Sequence, residues 1–228
     1  MIHVAKFYAW TPGLYEFAHW REWALGLRSP SIPEEGGEAA GPDLSFTPPI
    51  FRRRLSLISR MTVRVAHELL PFSARARIFF LSLRGEIGQQ FKISCAFLQE
   101  GLVRPAPFSH SVFNTPVAMA SIALGLTAGY TALYPGEGGF YAGFQAAAAP
   151  LLAGDAEESV LIYADEAAPE EYGRLCPPDN LPLAFGVALS RAEGRELAWD
   201  GRNRADFFGT PKNFLRRLCL DEANGQAV

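Results

Sequence analysis

Four histidines, three cysteines and one glycine-rich acidic turn hold most of the chemistry this sequence could carry. His67-Glu-Leu-Leu-Pro71 starts like a zinc-binding helix, in which a second imidazole one turn later completes the grip on the metal, but Pro71 stands there. His3, His19 and His110 are far apart with no ligand spacing, so no metal site is expected. Ser109-His110-Ser111 sets hydroxyls beside an imidazole, yet no Gly-x-Ser-x-Gly turn exposes a serine nucleophile. Cys95, Cys176 and Cys219 are odd in number and form no Cys-x-x-Cys pair, which points to reduced thiols rather than a disulfide framework. There remains Gly136-Glu137-Gly138-Gly139-Phe-Tyr-Ala-Gly143. Free backbone N–H groups and a helix dipole there suit an anion, but the glycines miss the dinucleotide spacing and Glu137 repels phosphate. Read from its residues alone it is a structural turn, with an acid where a helix N-terminus would activate a cysteine as thiolate.

The elements that must position these residues alternate in type. His3 to Trp10 reads as a strand and Leu14 to Leu27 as helical. Arg28 to Pro49, with five prolines and the run Glu34-Glu-Gly-Gly-Glu38, reads as an irregular connection. From Phe51 to Leu70, Leu55, Ile58, Val65 and Leu69 recur at helical spacing with Arg53, Arg60 and Arg64 on another face, predicting one amphipathic helix stopped by Pro71. Arg77 to Leu83 is a buried strand, Glu86 to Gln99 helical, Pro116 to Gly125 helical, Tyr130 to Tyr134 extended and Gly138 to Leu152 an Ala-rich helix. Ser159 to Ala164 and Leu183 to Leu189 are apolar runs of central-strand type. The order βαβαβαββ predicts an α/β layered fold with a mostly parallel sheet and helices on both faces. Beyond Ser190 the chain is polar, with a helix expected at Lys212 to Leu220.

The chain's 228 residues are enough for one large core or two small ones, and 49% hydrophobic with 20% charged residues excludes disordered and fibrous classes. All but three of the 21 basic residues are arginine, and the net charge of −3 gives no nucleic-acid footprint. Pro105 to Gly136 lacks Asp, Glu, Lys and Arg, but its Pro, Ser, Thr, His and Asn content favours a protein interior over a membrane span. With no signal-peptide pattern at the N-terminus, a cytoplasmic location is expected.

Several of these segments together carry a resemblance. They are Phe108-Ser-His-Ser-Val-Phe-Asn114, Ala120-Ser-Ile-Ala-Leu-Gly-Leu126, Leu152-Ala-Gly-Asp-Ala156 and Val160-Leu-Ile-Tyr-Ala-Asp-Glu166, with a strand, a Gly-rich turn and an Ala-rich helix between the second and third. The set resembles the N-terminal half of β-ketoacyl synthases, and more narrowly their chain-length-factor-like members. Arg52-Arg-Arg-Leu-Ser-Leu-Ile-Ser-Arg-Met61 is similar to the family's early helix, and Leu181 to Arg191 to the strand closing its first half. The resemblance covers residues 1–191, implying half of a thiolase-like fold with a five-stranded sheet; residues 192–228 are expected to form a C-terminal extension.

In active members of that family an acyl-accepting cysteine lies between the third strand and the next helix; family spacing puts Glu137 at that position, and a carboxylate cannot form the thioester. None of the four histidines matches the two borne by the family's second half. The resemblance therefore implies a non-catalytic subunit, without cofactor or metal, that pairs with an active ketosynthase and shapes its acyl tunnel, in aryl polyene or polyketide-type biosynthesis. Tunnel and interface residues are expected at Phe108, Phe113, Asn114, Met119, Tyr130 and Tyr134, with the strand at Tyr130 to Tyr134 pairing across the dimer axis. Arg52, Arg53, Arg60 and Arg64 would meet an acidic acyl carrier protein, or form an ordinary solvated helix face. Two other readings stand beside this one: a malonyl-carrier-protein decarboxylase using Glu137 as base, and a stand-alone acyl- or carrier-protein-binding module.

Overall fold

The computed structural model describes residues 1–31, 41–136, 139–176, 179–197, 199 and 209–225. A six-stranded sheet runs through it in the order β3-β2-β4-β5-β1-β6. Its strands are β1 (His3–Trp10), β2 (Ile78–Leu81), β3 (Tyr130–Leu133), β4 (Glu158–Asp165), β5 (Leu183–Ser190) and β6 (Arg195–Glu196). β2 pairs parallel with β3 and β4, whereas β5 is antiparallel to both β4 and β1. Four of the five long strands thus share a direction, as the βαβ alternation predicts, and β5 reverses because β4 reaches it without a crossover helix. The two-residue β6, paired with His3 and Val4, is an addition to the five expected strands; it is too short to show a period.

The strand sequences are continuous apolar runs because the sheet is covered on both faces. Along β2, β4 and β5 the side chains alternate: Phe79, Leu81, Leu161, Tyr163, Phe185 and Val187 enter one core, and Ile78, Phe80, Val160, Ile162 and Ala184 the other. The first core is closed by α1 (Phe17–Ala24), α8 (Gly139–Ala153) and α9 (Pro211–Gly225), the second by α3 (Leu57–Glu68) and α7 (Thr115–Leu124). Phe214, Leu215, Leu218 and Cys219 of α9 are fully buried, so the expected C-terminal helix is part of the packed body.

The single helix predicted from Phe51 to Leu70 is instead two. A short α2 (Pro49–Arg52) precedes α3, and the chain breaks at Ser56, whose extended backbone and hydroxyl cap the second helix by accepting the Ser59 N–H at 3.2 Å. A serine at helical spacing keeps the apolar period intact while ending the helix, so periodicity alone reads through the break. Two short helices, α4 (Phe72–Arg75) and α6 (Pro105–Ser109), and a 3₁₀ turn at Glu170–Leu175 fill connections; α5 spans Ile87–Glu100. Among the described residues no helix is long and apolar enough to cross a membrane.

α8 approaches β2 closely because Gly143 has no side chain: a Cβ there would lie 2.0 Å from Leu81 Cδ2 and 2.5 Å from Cγ. Gly143→Ala should therefore force Leu81 or the helix to shift and lower unfolding stability by about 1–3 kcal/mol, measured by urea denaturation.

Candidate functional site

Of the residues nominated by the sequence, Tyr130 opens β3, Tyr134 follows it and Asn114 is bonded to Tyr130. Among the described residues β3 pairs only with β2, and all four of its residues are half-buried. Ahead of α7, Asn114 donates its amide to the Tyr130 hydroxyl at 3.1 Å, tying the helix start to the edge strand. Phe113 lies over Gly85, where a Cβ would meet its ring at 2.8 Å, and tilts against Phe80 with centroids 6.3 Å apart. Met119 and Tyr130 pack on the second core. Phe113, Asn114, Met119 and Tyr130 thus join one packed unit, whereas Phe108 and Tyr134 face outward, 56% and 67% exposed. Val112 and Ile122, between them in sequence, are also exposed. α5, fourteen residues long, has no buried residue, and Phe97 and Leu98 near its end are open to solvent.

Glu137, with Gly138, lies outside the described residues; the chain resumes at Gly139, where α8 begins. The four arginines are divided by the break ahead of α3. Arg52 ends α2 and Arg53 follows it, exposed, while Arg60 and Arg64 are on α3. Arg64 is engaged within the fold: it pairs with Glu68 at 2.6 Å, donates to the Asp43 carbonyl at 3.0 Å and sits 5.7 Å from the Tyr8 ring centroid. His67 stacks on Phe46 with centroids 3.7 Å apart.

A second constellation, of buried acids, gathers where β2 and β4 end. Asp165, the last residue of β4, accepts hydrogen bonds from Ser82 Oγ at 2.6 Å, Tyr163 Oη at 2.6 Å, and the backbone N–H groups of Leu83 and Arg84 at 3.1 and 3.0 Å. Glu166 accepts from the Gly88 N–H at 2.8 Å, and its carbonyl takes the Arg84 guanidinium at 2.8 Å. Asn180 closes the loop by bonding Arg84 and both backbone groups of Ala168. Glu86, fully buried at the start of α5, accepts the hydroxyls of Ser56 and Ser59, each at 2.8 Å, through Oε1. It forms part of the wall of a cavity of about 530 Å³ that opens between α3, α5 and α6.

Burial drives the Glu86 carboxyl up to about 7; the two serine hydroxyls oppose this and Glu166 adds to it. Burial likewise raises Glu166, against the Gly88 N–H and Lys92. A carboxyl that exchanges its proton near neutrality can give or take one from a bound group. The sequence marks this cluster only faintly, as Arg84-Gly-Glu86 after an apolar strand and Asp165-Glu166 at the end of another. Neither pattern says that the acids are buried.

The family model for the β-ketoacyl synthase N-terminal domain matches residues 20–213. No curated protein sequence matches the chain significantly. Among solved structures, the ketosynthase ApeO in complex with its chain length factor ApeC, from Xenorhabdus doucetiae, is similar at a TM-score of 0.70 and 21% identity, over 85% of this chain and 80% of that one. The ishigamide ketosynthase/chain length factor gives 0.63 and 11%, over 86% of this chain and 63% of that one. The type II polyketide synthase complex AntDE:AntF, of an acyl-carrier protein with its ketosynthase, gives 0.59 and 14%, over 83% and 62%. At these identities the likeness is one of fold. The chain spans most of its partner in the first comparison and less than two thirds in the other two.

The charge on Glu86 sets a pH dependence. Folded, it keeps its proton up to about pH 7; unfolded, it loses it near 4.5. Its contribution is therefore fully present below the lower value and is lost as pH rises through the higher one, on the order of 3 kcal/mol in all. Glu86→Gln, which keeps an acceptor for both serines, should flatten the stability decline between pH 5 and 8 seen by urea denaturation of the wild type.

Proposed function

The chain belongs to the β-ketoacyl synthase family through its N-terminal domain, and from that premise we propose that it is a non-catalytic, chain-length-factor-like subunit. It pairs with an active ketosynthase in the cytoplasm and shapes the tunnel for the growing acyl chain. The observation that carries this reading is one of sequence: the segment joining β3 to α8, where the resemblance puts the family's nucleophilic cysteine, reads Tyr134-Pro-Gly-Glu-Gly-Gly139 and has no cysteine. The three cysteines are elsewhere: Cys95 on α5, Cys176 after the 3₁₀ turn, and Cys219 buried in α9 with its thiol pushed up to about 12 by desolvation. Thioester chemistry needs an accessible thiolate, and a buried thiol of that kind does not supply one.

The surface supports a partner. An edge strand with one free side invites pairing with another chain, and Phe108, Val112, Ile122 and Tyr134 present apolar groups on the segments beside it. The similarity to ketosynthase and chain length factor complexes favours a ketosynthase as that partner, and an aryl polyene or polyketide-type product is what the family resemblance implies. Arg53, with Arg52 and Arg60, is the part of the basic group left for an acyl carrier protein, since Arg64 is held by Glu68 and Asp43.

Co-expression with a ketosynthase encoded beside it should yield a heterodimer by size-exclusion chromatography, with elongation requiring both chains. Purified alone, the protein should carry no acyl group by mass spectrometry. An acyl adduct on the isolated chain overturns the proposal, as does malonyl-carrier decarboxylation by it that is abolished in Glu137→Gln.

The two tunnel phenylalanines should separate in their effects. Phe108→Ala, at an exposed position, should lengthen the products of the pair with little change in stability. Phe113→Ala, which empties the contact on Phe80 and Gly85, should also cost about 2 kcal/mol of stability. Unchanged product length in Phe108→Ala removes that residue from the tunnel.

A further inference from the structure

The far side of the sheet from β3 is closed for only two residues, where β6 pairs with His3 and Val4 of β1. From Lys6 to Trp10, β1 is bonded to β5 alone, and no other backbone hydrogen bond reaches this stretch among the described residues. About half of the N–H and C=O groups of such a stretch point away from its one neighbour, and that row is a template for another strand. A cavity of about 360 Å³ lies there, lined by every residue from Val4 to Ala9 and by Tyr15, Glu16, Phe17 and Glu222. Successive side chains of a strand point to opposite faces, so a cavity lined by an unbroken run of β1 follows its edge and not one of its faces.

The two faces beside this edge differ in charge. Phe7 and Ala9 enter the core under α1, and Tyr8 and Trp10 the other, which places the exposed Lys6 on the face away from α1. On the α1 side are two carboxylates: Glu16 is exposed and has no ion pair, and Glu222 has only Arg195, at 3.9 Å. The rings of Tyr15 and Phe17 accompany them, 69% and 38% exposed. Carboxylates beside open aromatic rings suit an ammonium or a guanidinium. A second copy of β1 does not supply one, since it would offer Phe7 and Ala9 to that side. The register slip between Val4 and Lys6 and the charge of Lys6 also oppose pairing of this edge with its own kind.

We infer that the free edge of β1 takes up an extended segment of a partner protein as a further strand, with a Lys or Arg of that segment on the side of Glu16 and Glu222. Its backbone continues the row that β6 begins, and its alternate side chains lie over the α1 face and the Lys6 face in turn. β3 is at the opposite end of the sheet, so this site stands whether or not the chain pairs with a ketosynthase there.

The test uses the acetylated, amidated peptide Thr-Val-Lys-Val-Thr, titrated into the isotope-labelled full chain and followed by amide chemical shifts. Saturable shifts are expected at Lys6 to Trp10 and at Glu16. Affinity should fall by about fivefold or more in Glu16→Lys, an exposed position that leaves the fold intact, and likewise when Glu replaces the peptide's Lys. Methylating the peptide's amide nitrogens, which removes the donors a strand needs, should abolish binding. The inference is overturned by an absence of saturable shifts, by shifts confined to β3, or by equal affinity in Glu16→Lys or for the methylated peptide. Concentration-dependent self-association of the chain through the same β1 amides names a second copy as the occupant and overturns it too.

Discussion

The carboxylate of Asp165 is the point on which the carboxyl-terminal end of the sheet depends. Parallel strands β2 and β4 bring Leu81 and Tyr163 into register, and one acid just beyond gathers a hydroxyl, a phenol and two backbone N–H groups. Those two N–H groups belong to the segment leaving β2, where no ladder partner remains for them. Leaving such groups unpaired in the interior would cost as much as the strand gains there. Asp165 therefore fixes the path of the chain leaving β2, and with it where Gly85 lies under Phe113 and where Glu86 begins α5.

This dependence explains what the sequence revealed and what it concealed. The strands β2, β4 and β5 were legible because a sheet covered on both faces writes itself as an unbroken apolar run, and α3 because Ile58, Val65 and Leu69 keep a helical period. The break before α3 was hidden because Ser56 acts through a hydroxyl on the Ser59 N–H, a contact that leaves the apolar spacing undisturbed. Glu86, Asp165 and Glu166 read as ordinary charged residues at strand and helix ends. Their burial is settled by partners 27 to 83 positions away, Ser59 for Glu86 and Ser82 for Asp165, and no local pattern carries that information. Of the residues nominated for an interface, Asn114 and Tyr130 are joined by a hydrogen bond, while the exposure of Phe108 and Tyr134 depends on tertiary placement that no local pattern carries.

The two cores differ in what they leave uncovered. The first, under α1, α8 and α9, is sealed by a cluster of tilted rings, Phe140, Phe144, Phe185 and Phe214. The second, under α3 and α7, is closed toward the sheet, but the segments flanking it, α5 and α6, add exposed apolar side chains and no fully buried one. Burying a helix face is what ordinarily holds a helix of that length in place. α5 is held instead along its first half, where Glu86 accepts the hydroxyls of Ser56 and Ser59, Gly88 donates to Glu166, Gln89 and Gln90 donate to the Pro107 and Ser111 carbonyls, and Phe91 packs on Tyr172.

On the proposed reading, in which Glu137 takes the place of the family's thiol, that asymmetry bears on why an acid is tolerable there. A nucleophile demands an exact geometry at one atom, whereas a wall of a shared tunnel demands only that its bulk and its contact surface persist. In this chain the invested interactions hold shape: Gly143 admits Leu81 against α8, Gly186 admits Val65 and Leu69 of the α3 side against β5, and Asp165 holds the β2 exit. Each preserves the layered body and the position of the β3 edge without reference to Glu137. On the proposed reading, replacing the thiol would end acyl transfer by this chain while the contacts that hold Phe113 on Phe80 and Asn114 on Tyr130 persist, so catalysis and shape are physically separable.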